Sequence, residues 1–122
     1  AEKLADIGVQ GIVLSNHGGR QLDKGPVMIE LLPKVAEKVG GRLDIYVDGG
    51  FMTGQDVVAA IAFGAKAVLI GRAYLYGIMA DGQNGVEKVV EILQAEISNT
   101  MALMGISKIS EINSSHAKLR NY

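Results

Sequence analysis

Apolar residues fall in short continuous runs, separated by stretches in which they recur every three to four positions. Such alternation predicts strands and helices in turn. The run Val9-Gln10-Gly11-Ile12-Val13-Leu14 is too short for a helix and too β-branched for a loop, so it reads as a buried strand. Leu43-Asp44-Ile45-Tyr46-Val47 and Ala67-Val68-Leu69-Ile70 read the same way. Ahead of the first strand, Ala1 to Asp6 carries helix formers and Gly8 is placed to stop them. Gly25-Pro26 opens a second helical pattern running to about Val39, with Met28, Leu31, Leu32, Val35, Ala36 and Val39 on one face. Pro33 is tolerable there only in a first turn, which moves the expected start of regular helix toward Leu31. Gly40-Gly41 ends it. A third helix is expected from about Gly54 to Phe63, stopped by Gly64. After the third strand come a short helical piece through Tyr74 and Leu75 and a long helix from about Gly85 to Met104. Val86, Val89, Val90, Leu93, Ile97 and Met104 form its core stripe, and Gly105 caps it.

The order is therefore α-β-α-β-α-β-α, an α/β chain whose strands are expected to be parallel, buried on both faces and joined by right-handed helical crossovers. Three such strands fit an open doubly wound sheet or a piece of an eight-stranded (β/α) barrel. No GxGxxG follows any strand, which lowers the dinucleotide-fold reading. Residues 1–105 read as the folded portion. Residues 106–122 form a polar tail with little periodicity, the one segment expected to be disordered.

Composition narrows the function classes. With 122 residues and 48% hydrophobic content the chain can bury a core, and a net charge of −1 gives no reason to expect nucleic acid or anionic lipid. Cysteine is absent, which removes disulfides, thiolate metal sites and a Cys nucleophile. That fits a reducing cytoplasm, the expected location, and no metal site is indicated. No apolar stretch approaches the roughly 20 residues needed to span a bilayer. The chain opens without Met, in what reads as the second half of a helix, so a truncated sequence is expected.

The candidate chemistry sits just past the strand ends, where α/β proteins place it. Ser15-Asn16-His17-Gly18-Gly19-Arg20-Gln21-Leu22-Asp23 follows the first strand. Its imidazole can exchange a proton near neutral pH, and its guanidinium can grip a carboxylate with two parallel hydrogen bonds. The pair points to an enzyme acting on a small carboxylic acid. Asp48-Gly49-Gly50 and Gly71-Arg72 follow the other two strands. Bare glycine N–H groups with Arg72 near a helix start would cradle a phosphate dianion. Asp48 would repel that dianion and is suited instead to accept a hydrogen bond from a hydroxyl, such as that of a sugar or polyol chain. Taken singly each piece is ordinary: Asn16 and Asp23 read as turn caps, His116 as a solvated tail residue, Met101 and Met104 as packing. The joint placement at three successive strand ends is what points to a site.

Those residues resemble the C-terminal part of the FMN-dependent α-hydroxy acid dehydrogenases and oxidases, the family of glycolate oxidase, lactate dehydrogenase and mandelate dehydrogenase. The resemblance rests on Ser15 to Asp23, on Asp48-Gly49-Gly50, and on Gly64-Ala65-Lys66-Ala67-Val68-Leu69-Ile70-Gly71-Arg72. It implies the last three β/α units, strands 6–8, of a (β/α)8 TIM barrel, with the C-terminal helix. It implies FMN as cofactor and oxidation of a small L-2-hydroxy acid to the 2-oxo acid. His17 would be the base and Arg20 the carboxylate clamp. Ser15 would lie near the flavin ring and Asp48 near the ribityl chain. The cofactor loops would be Gly49, Gly50, Phe51 and Met52, with Gly71 and Arg72 at the phosphate.

Two departures stand out. The family usually carries Arg two residues past Asp-Gly-Gly, where this chain has Met52. The family's earlier strands, with their active-site tyrosines, His-orienting Asp and flavin-edge Lys, have no counterpart here. The reading is thus of a fragment, inactive alone, that needs the missing N-terminal strands or another copy of the chain; family members often form tetramers, so a homo-oligomer is expected. The alternatives are a non-catalytic phosphate/FMN-binding or assembly module, or another FMN barrel enzyme.

Overall fold

The computed structural model describes residues 1–120; the last two positions of the expected tail, 121–122, lie outside the described residues. Three strands, β1 (Gly11–Leu14), β2 (Asp44–Val47) and β3 (Ala67–Val68), form one parallel sheet in the order β1-β2-β3. Gly11 pairs with Asp44 through to Leu14 with Val47, and Tyr46 and Val47 pair with Ala67 and Val68. The α/β order and parallel pairing agree with the periodicity. Strand β3 is shorter than its apolar run. Leu69 N–H still donates to Val47 O at 2.8 Å, but β2 turns away at Asp48-Gly49 and leaves Ile70 outside the ladder.

The crossovers are α2 (Met28–Val39) and α3 (Gly54–Ala62), preceded by α1 (Glu2–Asp6) and followed by α4 (Arg72–Leu103). Crossovers of one hand between strands taken in sequence order place their helices on the same side of the sheet. Ile45 and Val47 accordingly bury against Met28, Leu32 and Val39 of α2 and Ala60 of α3, with Ile12, Leu14, Val68 and Ile70 packed around them. The alternate residues face the other way, and Val13 is 52% exposed and Leu69 43%. The strands are therefore covered on one face only, which corrects the expectation of burial on both.

Helix α2 starts at Met28 rather than near Leu31, so Pro33 stands inside it. Proline there removes one helical bond and costs about 3 kcal/mol. Burying Met28 and Leu32 returns about 1.5–3 kcal/mol each, enough to hold the first turn. The backbone of α4 breaks at Asp81 (φ −157°, ψ 39°) and Gly82 (φ 51°), giving the short piece and the long helix that the pattern suggests. The two arms touch backbone to backbone: a Cβ on Gly77 would stand 2.6 Å from Gly85 O, and one on Gly85 would overlap the Gly77 carbonyl. In the core stripe Val90 is 48% exposed, and Met101 is buried in its stead.

The tail is folded as far as His116, which corrects the expectation of disorder there. Ile106 is buried with Val58 and Met101, and Ile112 packs against them. Two 3-10 turns, Ile109–Glu111 and Ser114–His116, follow. Two apolar anchors six residues apart carry no helical or strand period, which is why the sequence hides them. The Glu111 carboxylate accepts from the backbone N–H of Ser107 and Lys108, and these bonds hold it below the ordinary carboxylate range. His116 is half-buried and its Nδ1 accepts from Asn113 N–H at 3.1 Å, so it closes a turn rather than standing free in solvent. Among the described residues no helix is long and apolar enough to cross a membrane.

Candidate active site

The chain leaves β1 through three consecutive left-handed residues, His17 (φ 53°), Gly18 (68°) and Gly19 (77°). Only glycine adopts this conformation freely; His17 does so at a cost of about 1–3 kcal/mol. Side chains to its N-terminal side hold it. Ser15 Oγ accepts from His17 N–H and Asn16 Oδ1 from Gly18 N–H, both at 3.0 Å, while Asn16 O accepts from Gly19 N–H at 2.9 Å. The reversal brings His17, Gly18 and Arg20 over the neighbouring strand ends. His17 and Arg20 are both solvent-exposed.

All three strand-end loops line one cavity of about 540 Å³. His17, Gly18 and Arg20 come from the first loop, Asp48, Gly49, Gly50, Phe51 and Met52 from the second, Leu69, Ile70, Gly71 and Arg72 from the third, with Tyr74 and Leu75 from α4. A hollow of about 500 Å³ at the opposite strand ends includes Arg42, Asp44 and Lys66. Its charges are already paired, Lys66 with Asp44 at 2.5 Å and Arg42 with Asp6. The hydrogen bond and charge of Asp44 raise the Lys66 pKa.

Within the first cavity, two features fit a polyol phosphate such as FMN. Asp48 Oδ1 is buried and has no hydrogen-bond partner among the described residues. An unpaired buried acceptor costs about 1–3 kcal/mol, so this oxygen suits an incoming hydroxyl. The N–H groups of Gly49, Gly50 and Gly71 donate to no protein acceptor among the described residues. A Cβ at Gly50 or Gly71 would meet nothing within 4 Å, which leaves room for a ligand against the backbone. Gly71 is also the residue before the first turn of α4, whose N-terminal dipole favours an anion.

The start of α3 is closed by comparison. Asp56 Oδ2 accepts from the N–H groups of Met52 (3.0 Å) and Thr53 (2.9 Å), Thr53 Oγ1 accepts from Asp56 N–H, and Glu96 Oε2 accepts from Gly54 N–H at 2.6 Å. Asp56 and Glu96 thus brace the second loop, a role the motif reading missed. The spacing Thr53-x-x-Asp56 is a capping-box signal; Glu96, far along the chain, leaves none. Also missed were Leu69, Ile70, Tyr74 and Leu75 as lining residues. Ser15 lies outside the cavity lining, its hydroxyl engaged with His17 N–H. Phe51 lines the cavity, yet it is only 5% exposed and packs in the core.

The chain has known relatives. A Mycobacterium tuberculosis protein carrying a provisional L-lactate dehydrogenase name is 54% identical over 95% of the chain and 28% of its own length. A peroxisomal (S)-2-hydroxyacid oxidase of Arabidopsis thaliana is 47% identical over 99% of the chain and 33% of its own. The chain thus spans about a third of the length of the curated relatives it matches. The crystal structure of (S)-mandelate dehydrogenase, a monotopic membrane protein, superposes with a TM-score of 0.91 at 41% identity, over 97% of the chain and 31% of that structure. Residues 1–119 match the FMN-dependent dehydrogenase family, and the chain belongs to it.

Proposed function

We propose that the cavity is one wall of an active site that oxidises a small L-2-hydroxy acid to the 2-oxo acid with FMN. The chain supplies the last three β/α units of a (β/α)8 barrel. Bound FMN would supply the acceptor for the two electrons leaving the substrate. His17 takes a proton from the substrate, for which its imidazole needs to come within about 3 Å. Arg20 pairs with the substrate carboxylate through two parallel hydrogen bonds and fixes its orientation. Asp48 accepts from a ribityl hydroxyl, and the N–H groups of Gly49, Gly50 and Gly71 with the Arg72 guanidinium hold the phosphate. Ser15 acts through the His17 backbone, and Phe51 and Met52 form the wall beside the phosphate.

The observation that carries this reading is the lining itself, in which a proton-transfer group, two guanidinium side chains and an unpartnered buried carboxylate oxygen share one cavity. A phosphate-binding or assembly module would need only Gly71 and Arg72, and would leave the His17–Arg20 loop without a task.

The missing five strands make the chain inactive alone, since cooperating catalytic groups fail together. A chimera tests the proposal: this chain replaces the matching third of the Arabidopsis oxidase. It should bind FMN, bleach with glycolate or lactate, and lose about 10²–10⁴-fold in turnover on His17→Ala. A flavin-loaded chimera bleached by no 2-hydroxy acid would refute the assignment.

A further inference from the structure

The side chain of Asn16 lies between the two loops that meet over the cavity. Its Oδ1 accepts from Gly18 N–H at 3.0 Å, closing the turn that presents His17. The same oxygen stands 2.7 Å from where a Cβ on Gly49 would be, with Cγ at 3.4 Å and Nδ2 at 3.8 Å. Gly49 is therefore glycine on two counts: its φ is 105°, and the space of a side chain is filled by Asn16. At the base of the loops Leu14 O accepts from Asp48 N–H at 2.9 Å, so strand-end pairing and the Asn16–Gly49 contact fasten them at two heights. The turn so fastened holds His17 at its positive φ of 53°.

We infer that Asn16 is a positioning residue: its carboxamide, seated on Gly49, sets the His17 loop against the loop that carries Asp48. The inference rests on the reading of His17 as the proton acceptor only for its kinetic consequence; the coupling stands on the geometry of the chain. A displacement of about 1 Å in a reacting group costs about 10²-fold in rate, so the contact matters at the scale of catalysis.

The chain has two histidines, and their ring signals can be followed separately by NMR, with His116 as internal reference. Asn16→Ala should raise Gly18 amide exchange at least tenfold and shift the His17 ring signals while leaving those of His116 in place. Gly49→Ala should do the same, and the double variant should add little to either single one. Asn16→Asp, which keeps the acceptor, should restore most of the Gly18 protection. In the chimera Asn16→Ala should lower kcat about 10²-fold with KM little changed. Gly49→Ala that leaves Gly18 and His17 unmoved, or fully additive effects, would overturn the coupling. NMR coupling with unchanged kcat would overturn the kinetic role given to Asn16, whereas loss of the His17→Ala effect would count against His17 as the base. Where a single variant fails to fold, Asn16→Asp and Asn16→Ser decide by whether Gly18 protection tracks the presence of an acceptor.

Discussion

Met52 stands 40% exposed on the cavity wall, at the position where the resemblance leads one to expect an arginine. Its thioether contributes no charge, so under the proposed assignment Arg72 and the glycine N–H groups would carry the phosphate without it. Met52→Arg should therefore tighten FMN binding by about tenfold, the worth of one charge-assisted contact. Flavin fluorescence titration of the chimera reads this, and an unchanged Kd would argue against a phosphate at this wall. That His17, Arg20, Asp48, Gly71 and Arg72 share one cavity was legible because each stands in a short motif just past an apolar run. Asn16 was legible only as a turn cap. Its contact with Gly49 joins two loops that sequence order keeps apart. Glu96 was invisible for the same reason, since its partner Gly54 lies 42 positions away.

Helices and strands were read correctly in kind and order, because burial of one face imposes a period that survives in the sequence. Their ends were set by tertiary terms. Burial of Met28 and Leu32 carried α2 past Pro33, β3 ended where β2 turned away, and Ile106 and Ile112 fixed a tail without a period. The break in α4 depends on two glycines meeting backbone to backbone. Gly85→Ala would force that crossing apart, although Ala favours a helix on propensity alone. The expected result is a loss of about 3 kcal/mol in denaturant unfolding. Stabilisation, or no change, would show that the arms are not held by this contact.

At the scale of the molecule, among the described residues one side of the sheet is packed and the other bare, with β1 and β3 as open edges. Parallel strands seldom stand so exposed, and unpaired edges recruit other chains. The chain by itself should associate as concentration rises, measured by sedimentation velocity. Val13→Lys, which puts a charge on the bare face of the β1 edge, should reduce that association. A monomer at every concentration would show that the bare face needs no cover. The sequence could not reveal this one-sidedness, because apolar runs look alike whether one face is covered or both.

Two helices begin at the rim of the cavity, and they are not equivalent. The first turn of α3 is stoppered by Asp56 and Glu96, whereas that of α4, preceded by Gly71, has no side-chain cap among the described residues. Under the proposed assignment, a ligand with a charged head and a flat body would set its head at α4 and not at α3, which fixes its direction in the cavity. The stopper on α3 works like the blanked half of a keyhole.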